Sequence, residues 1–335
     1  MRAVRLHGVG ELRVEEVPPP GPPPAGYLRL KVAAAGICGS DLHNYRTGMW
    51  ISHLPVTPGH EFAATVAELG ADVEGFRPGD LVVADSRANC GSCVHCLEGN
   101  GNLCLEMGYV GEVSDGGFAE ETLLPATRVL LVPPGVAPEI AALSEPLAVA
   151  LHVRQRLDPA PDQPILIAGG GPIGGLLALL LREEGLGPVL LVERNAARAR
   201  LLTEIAGVEI IDLDPAAIAR RCPPTGPRYA VEATGSFEVL QKLVHSVSAG
   251  GRIALVGIFH GAGQLDANLL VERELDLRGC SVFRDEQADA VALLPRLAPK
   301  LARLITAPIG LDEVPAAYER LIRGEATALK TIIRP

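Results

Sequence analysis

Positive charge is in deficit in this chain of 335 residues. There are 30 Lys and Arg against 40 Asp and Glu, and the formal net charge is −10 at pH 7. Affinity for nucleic acids comes largely from clustered Lys and Arg. We therefore expect no nucleic-acid partner.

Long apolar runs and a secretory leader are also missing. The longest apolar runs, such as residues 174–181, are far shorter than the roughly 20 residues that cross a bilayer. Residues 1–6 contain neither an apolar core segment nor a cleavage site of small residues. These features predict a cytoplasmic protein with no membrane partner.

Nothing in the composition indicates disorder. Hydrophobic residues make up 48% of the chain and charged residues 21%, and 37 Gly with 28 Pro stay below the level typical of low-complexity chains. The length is about twice the usual size of a domain. Two domains are therefore predicted.

The order of β-like and helix-like segments differs between the two parts of the chain. The first third alternates short β-like runs with Gly, Pro or Asp, which predicts a mostly antiparallel β domain. From about residue 164, strands and helices alternate, which predicts a parallel sheet with crossover helices. After residue 279 the alternation lapses, and we expect this tail to pack elsewhere.

A glycine-rich turn follows the apolar run at residues 165–168. Residues 169–174 read Gly-Gly-Gly-Pro-Ile-Gly and fit the G-x-G-x-x-G pattern that binds the pyrophosphate of a dinucleotide at a helix N-terminus. A flexible Gly-rich loop is the alternative. Glu193 ends the next predicted strand, where a carboxylate can accept hydrogen bonds from the ribose and repel a 2′-phosphate. This favours NAD over NADP, although Arg194 could offset the repulsion.

Four of the seven cysteines are crowded into fifteen residues. Cys90, Cys93, Cys96 and Cys104 are separated by two, two and seven residues, a compact set that can surround one tetrahedral zinc ion. An iron–sulfur cluster and a redox disulfide are the alternatives. A zinc ion with four thiolate ligands has no open coordination position, so its role would be structural.

A second set of possible ligands is dispersed along the chain. Cys38, His60 and Glu145 together supply a thiolate, an imidazole and a carboxylate, which leaves one zinc position open, as in catalytic sites. Taken singly, each has an ordinary explanation as a buried thiol, a core histidine or a surface carboxylate. Their combination is what indicates chemistry.

These motifs together resemble the zinc-dependent medium-chain alcohol and polyol dehydrogenases. The resemblance covers essentially the whole chain and rests on the C-G-S-D-x-H run from Cys38, the G-H-E at residues 59–61, the cysteine cluster, and the glycine turn. The pair Glu145-Pro146 resembles the branch that contains sorbitol, idonate and threonine dehydrogenases.

The resemblance implies an α/β fold with two domains. A β-rich, GroES-like zinc domain would comprise residues 1–146 and 282–335, with a structural-zinc lobe at residues 88–106. A doubly wound, parallel-sheet (Rossmann) domain that binds NAD would comprise residues 147–281. The resemblance also implies two zinc ions per chain, a small-molecule substrate, and a homodimer or homotetramer.

The resemblance further implies roles for single residues. The catalytic zinc would be held by Cys38, His60 and Glu145, with Glu61 able to exchange with water as a ligand. Ser40 would pass the alcohol proton to the nicotinamide ribose and on to His43, a histidine near solvent. Asp41 would orient His60 through its ring N–H.

Two further sets of residues complete the predicted site. The substrate candidates are Trp50, Phe118 and Arg284. Trp50 could instead anchor a loop, and Arg284 could be a surface ion-pair partner. The candidate cofactor-binding residues are Gly169, Gly171, Pro172, Ile173, Gly174, Glu193, Arg194, Arg198, Val256, Gly257 and Ile258.

The expected function is NAD-dependent oxidation of a secondary hydroxyl group on a polyol or a sugar acid. The alternatives are a simple secondary-alcohol or butanediol dehydrogenase and a threonine-type dehydrogenase. From another class, a catalytically silent NAD-binding protein could use the same fold.

Overall fold

A computed structural model describes residues 1–222 and 225–335 of the chain. Over these residues the strands are β1 (Arg2–Gly8), β2 (Glu11–Glu16), β3 (Tyr27–Gly36), β4 (Glu61–Leu69), β5 (Leu81–Ala84), β6 (Glu121–Pro125), β7 (Val129–Leu131), β8 (Ile165–Ala168), β9 (Val189–Val192), β10 (Glu209–Ile210), β11 (Tyr229–Glu232), β12 (Arg252–Leu255), β13 (Asp276–Gly279) and β14 (Ile332–Ile333). The α-helices are α1 (Gly39–Thr47), α2 (Val94–Leu97), α3 (Pro138–Ala141), α4 (Ser144–Leu157), α5 (Pro172–Glu183), α6 (Ala196–Ala206), α7 (Pro215–Arg221), α8 (Phe237–Ser246), α9 (Ala267–Glu272), α10 (Gln287–Leu301) and α11 (Val314–Ile322).

The chain divides into two units. The first comprises Met1–Ala148, Arg284–Ala326 and Lys330–Pro335, and the second comprises Val149–Phe283 and Thr327–Leu329. The sequence did not predict that residues 327–329 belong to the second unit. Their place there has a packing cause, because the Leu329 side chain fills the space beside Gly175, where a Cβ atom would lie 2.7 Å from Leu329 Cδ2.

The first unit is built on an antiparallel sheet. Its strand order is β14-β3-β4-β5-β7, and β6 also pairs with β3. Along β3 the buried side chains Leu28, Leu30 and Val32 alternate with Arg29 and Lys31, the period of two expected of a strand with one face in the core. The predicted antiparallel β domain is confirmed.

Strand pairing in the first unit brings distant parts of the sequence together. Gly36, at the end of β3, is paired with Glu61, at the start of β4. The same Gly36 is paired on its other side with Ile332 of β14. The end of β3, the start of β4 and the segment before β14 therefore meet at one place.

The second unit contains a parallel sheet of order β10-β9-β8-β11-β12-β13. All four residues of its central strand β8 are buried, as expected when helices cover both faces of a parallel sheet. The predicted alternation of strands and crossover helices is confirmed. Among the described residues, no helix is long and apolar enough to cross a membrane.

Gly59 is a position where the fold allows no side chain. Its φ is +99°, and a Cβ atom there would lie 2.4 Å from Cδ1 of the fully buried Phe118 ring. Both the backbone conformation and the close packing therefore require glycine immediately before His60.

We predict that Gly59→Ala destabilises the protein by about 3 kcal/mol or more, since backbone strain and overpacking add. The matched control is Gly135→Ala, where φ is +84° but nothing lies within 4 Å of the new Cβ atom; strain alone should cost about 1 kcal/mol there. Urea unfolding measures both. Equal losses for the two variants would show that the contact with Phe118 does not matter.

Candidate active site

Three side chains of different chemistry converge where β3, β4 and β14 meet. Ligand atoms of Cys38, His60 and Glu61 all lie within 4.8 Å of one another. A tetrahedral zinc ion with bonds of about 2.0–2.3 Å places its ligands roughly 3.3–3.8 Å apart. The donor types and their spacing therefore fit a zinc ion.

Glu145 lies outside this closest set, although the sequence predicted it as a ligand and Glu61 as an exchanging one. It stands in the first turn of α4 and is buried. Burial and the charge of Glu61 raise the pKa of Glu145 to about 7, while the charges of His60 and Lys330 act in the opposite direction. The two carboxylates thus share one electrostatic environment that a cation would stabilise.

Both ring nitrogens of His60 have partners. Nδ1 lies 3.4 Å from Asp41 Oδ1, and Nε2 lies 3.3 Å from Ser40 Oγ. Burial alone lowers the pKa of His60, but the charges of Asp41 and Cys38 outweigh it and raise that pKa well above the ordinary value. These charges therefore favour a proton on the His60 ring, and the 3.4 Å distance from Asp41 is compatible with the orienting role, which stays a prediction.

Lys330 is a member of the site that sequence analysis missed. Its Nζ atom lies 2.7 Å from Glu61 Oε1 and donates a second bond, of 3.2 Å, to the carbonyl of Ile37. Burial lowers the pKa of Lys330, but the charges of Glu61 and Cys38 more than compensate. No motif marks this lysine, because only the pairing of β14 with β3 brings it beside Glu61.

The surroundings of His43 differ from the prediction. A histidine near solvent was expected, but His43 is buried, with its ring centroid 4.5 Å from that of Trp50. Trp50 itself is 39% exposed. The indole covers the imidazole, which explains the burial.

The other two predicted substrate contacts lie in different surroundings. Phe118 is fully buried in the hydrophobic core of the first unit, so its side chain supports Gly59 and does not face an open space. Arg284 is partly exposed, and its Nε atom lies 3.2 Å from Asp285 Oδ1. The exposed guanidinium can also bind a ligand, whereas the Phe118 ring cannot without rearrangement.

The four clustered cysteines form a second donor set. The sulfur atoms of Cys90, Cys93, Cys96 and Cys104 all lie within 4.8 Å of one another. Backbone N–H groups point at the sulfurs, as from Cys93 to Cys90 at 3.4 Å and from Cys90 to Cys104 at 3.2 Å. Backbone N–H groups, first those of Ser92 and Cys93, lower the pKa of Cys90 to about 6. Such bonds stabilise thiolates, the form that binds zinc. At Cys104 the N–H groups, first that of Cys90, also lower the pKa, but burial and the neighbouring thiols of Cys90 and Cys96 outweigh them and raise it to about 11.

The glycine turn of the second unit has the close packing that a dinucleotide site needs. Gly169 has φ +105°, and a Cβ atom at Gly174 would lie 1.9 Å from the Gly169 carbonyl oxygen. Gly171 is the N-cap of α5, and Pro172 opens the helix. The first turn of α5 can therefore present its N–H groups to an anion.

Glu193 is held beside that turn. Its Oε2 accepts a 3.0 Å bond from the Gly170 N–H, and its Oε1 accepts from the Asn195 N–H at 2.7 Å and lies 3.2 Å from Arg198 Nη2. Arg194 is exposed. Arg198 thus partly balances the charge of Glu193, a feature that the sequence did not reveal.

The segment after β12 contains Val256, Gly257 and Ile258. Because β12 runs parallel to β8, this segment lies at the same edge of the sheet as the glycine turn. The N–H groups of Val256 and Gly257 bond to the carbonyl of Glu232 at 2.9 and 3.1 Å. A Cβ atom at Gly257 would lie 2.2 Å from Gly235 N, so backbone approaches backbone here. Ile258 is partly exposed and could contact a ligand.

Comparison with known proteins decides the family. Residues 24–134 match the family model of the alcohol dehydrogenase GroES-like domain, and residues 172–298 match that of zinc-binding dehydrogenases. The chain belongs to the zinc-dependent medium-chain dehydrogenases. It is therefore an oxidoreductase with a GroES-like domain and a Rossmann domain.

Similar proteins act on several substrates. A sorbitol dehydrogenase of Bacillus subtilis is 29% identical over 100% of this chain and 97% of its own, and an L-threonine 3-dehydrogenase of Deinococcus deserti is 30% identical over 93% and 92%. Among solved structures, a zinc-binding dehydrogenase of Sinorhizobium meliloti with NADP bound has a TM-score of 0.92 and 32% identity, covering 100% and 99% of the two chains. The 2R,3R-butanediol dehydrogenase of Bacillus subtilis has a TM-score of 0.91 and 30% identity, with the same coverage.

Glu112 is another buried ionisable residue that sequence analysis missed. Burial raises its pKa to about 7, against the lowering effects of the His60 charge and a hydrogen bond from Asn44, while the Asp41 charge acts in the raising direction. Nothing in the local sequence distinguished this glutamate from an exposed loop residue.

The raised pKa of Glu112 makes its contribution to stability depend on pH. The protonated form is favoured in the folded state, so the contribution is complete below the ordinary pKa of 4.5 and is lost as the pH rises through about 7. We predict that Glu112→Gln, which cannot ionise, becomes more stable relative to the unchanged protein by about 2 kcal/mol between about pH 5 and pH 8. Urea unfolding across this range measures the difference, with the exposed Glu74→Gln as control. Parallel stability curves would contradict the prediction.

Proposed function

We propose that this dehydrogenase oxidises a secondary hydroxyl group of a polyol or a sugar acid, with NAD as the hydride acceptor. The observation that carries the proposal is the donor set of Cys38, His60 and Glu61, with Ser40 Oγ 3.3 Å from His60. A thiolate, an imidazole and a carboxylate suit a catalytic zinc ion, and a hydroxyl beside them suits proton transfer.

Different residues of the chain would have different roles around the zinc ion and NAD. When bound, zinc polarises the substrate hydroxyl as a Lewis acid, and NAD accepts the hydride. Cys38, His60 and Glu61 would hold the metal, with Glu145 beside them, and Asp41 would fix the orientation of the His60 ring. Ser40 would act as a relay, accepting the proton of the substrate hydroxyl as its own hydroxyl proton leaves toward His43.

The second zinc belongs to the proposal as well. Cys90, Cys93, Cys96 and Cys104 would hold it without an open position, so its role would be to stabilise the lobe at residues 88–106. Two zinc ions per chain are expected. The quaternary structure is proposed to be a homodimer or homotetramer, as the family resemblance implies.

The substrate class rests on fewer observations. Glu145-Pro146 resembles the polyol branch, and the partly exposed Arg284 offers a planar donor fork that suits hydroxyl-rich or carboxylate-bearing molecules. The names of similar proteins support butanediol and L-threonine as alternatives. A catalytically silent protein with the same fold would need only the cysteine cluster and would hold one zinc ion.

We predict that the zinc-replete protein reduces NAD with alditols or aldonates more readily than with butanediol, L-threonine or simple secondary alcohols. NADH formation across this panel, after metal analysis of the same sample, is the measurement. Turnover only with butanediol or L-threonine would establish that alternative. Two zinc ions with no turnover on any compound would refute the proposed function.

Arg284→Ala distinguishes the substrate classes further. Removing a charged hydrogen bond should lower kcat/KM for an aldonate about tenfold or more and leave butanediol nearly unchanged. Arg323→Ala is the matched control, because that side chain is also partly exposed and pairs locally with Glu325.

The preference for NAD depends on Glu193. We predict that Glu193→Ala lowers kcat/KM with NAD about tenfold and raises the relative use of NADP, because the acceptor for the ribose is lost and Arg198 is released from its partner. Glu272→Ala, an exposed residue of the same unit, is the control. An unchanged ratio of the two cofactors would show that Glu193 does not select between them.

A further inference from the structure

Asn44 and Glu112 form a buried polar pair beside the site. Asn44 Nδ2 donates a 2.8 Å hydrogen bond to Glu112 Oε1, and both residues are at least nine-tenths buried. The pair is not adjacent in sequence, and no motif of the chain includes it. A buried hydrogen bond to a carboxyl group is costly to break, so this pair fixes the geometry around it.

Both members of the pair hold the same loop, residues 48–53, which we call the Trp50 loop. Asn44 Oδ1 accepts a 3.2 Å bond from the Trp50 N–H. The carbonyl of Glu112 accepts bonds from Ser52 N and Ser52 Oγ, both at 3.1 Å. The loop is therefore attached at the backbone of Trp50, through the Asn44 side chain, and two residues later at Ser52, through the backbone carbonyl of Glu112.

The segment that carries Glu112 is itself fixed next to the metal ligands. A Cβ atom at Gly111 would lie 2.8 Å from Gly59 N, and one at Gly116 would lie 2.3 Å from Gly59 O. Gly59 precedes His60 directly. The position of Glu112 is thus set by the same backbone that positions the candidate zinc ligand.

The Trp50 loop contacts the candidate proton relay through its indole. The indole of Trp50 lies over the imidazole of His43, with 4.5 Å between ring centroids and 36° between ring planes. His43 lies on α1, one turn from Ser40. A displacement of the loop would therefore move the indole off the relay and change the surface beside Ser40.

We propose that Asn44 and Glu112 are positioning residues that hold the Trp50 indole over the His43 ring. In this way they determine the shape of the surface that the substrate would contact beside Ser40. They act through Trp50 and touch no reacting atom. Only the expected effect on KM rests on the proposed function. The placement of Trp50 is a structural property that can be measured without a substrate.

The first test uses fluorescence, because Trp50 is the single tryptophan of the chain. In full-length, zinc-loaded protein, Glu112→Leu and Asn44→Leu should shift the emission to longer wavelength and increase quenching by acrylamide. Glu112→Gln keeps an acceptor oxygen for Asn44 and should retain the original emission, as should the exposed control Glu74→Leu. Unchanged emission and quenching in both Leu variants, with melting temperatures showing that they fold, would overturn the proposal.

The second test is a double-mutant cycle on the substrate found most active in the panel. Glu112→Leu and Trp50→Ala should each raise KM about tenfold with a smaller change in kcat, and the double variant should be no worse than Trp50→Ala. Additive effects would show that Glu112 does not act through Trp50 and would overturn the kinetic part. If the unchanged protein turns over no substrate, the proposed function fails, and the fluorescence result still decides the positioning of Trp50.

Discussion

The candidate active site depends on how buried negative charge is balanced. Glu61 and Glu145 are buried close to the partly exposed Cys38, and Asp41 adds a further buried carboxylate. Burying charges of one sign is costly unless cations pair with them. Lys330 supplies one fixed cation, and a divalent metal ion would supply the rest. The geometry of the strands thus concentrates negative charge where the chemistry needs a metal.

The same region shows why glycine appears beside the site. At Gly36 an added Cβ atom would lie 2.4 Å from Glu61 Oε2, so the carboxylate occupies the space over that backbone. Gly59 makes room for Phe118 in the same way. Close approach of backbone and side chain excludes water, which strengthens each charge interaction inside. Packing and electrostatics are therefore two aspects of one arrangement.

The parts of this arrangement that sequence could predict are those marked by residue type and short spacing. The cysteine cluster and the glycine turn are local, and Cys38 and His60 belong to recognisable runs. Lys330 could not be predicted, because its 269-residue separation from Glu61 is bridged only by the pairing of β14 with β3. Membership of the closest donor set likewise depends on side-chain placement, which brings Glu61 into that set with Cys38 and His60, and the ligand role of Glu145 stays a prediction.

Burial was the least predictable property of single residues. His43 was expected near solvent because a relay must release its proton, but the indole of Trp50 covers it. Phe118 was expected to face the substrate, but Gly59 admits its ring into the core. The burial of His43 is decided by the loop residue Trp50, and the burial of Phe118 by Gly59. The positions of both neighbours follow from the tertiary structure. Local sequence carries no information about such neighbours.

Substrate choice within this family cannot come from the zinc ligands. Proteins named for sorbitol, L-threonine and butanediol are similar to this chain to nearly the same degree. Polarisation of a hydroxyl group by zinc is common chemistry for all three compounds, so discrimination must come from groups that contact the remainder of the molecule. In this chain the loop that follows α1 is held by Asn44 and Glu112, neither of which belongs to a motif. We therefore expect Asn44 and Glu112 to contribute to substrate choice, although neither is a candidate zinc ligand.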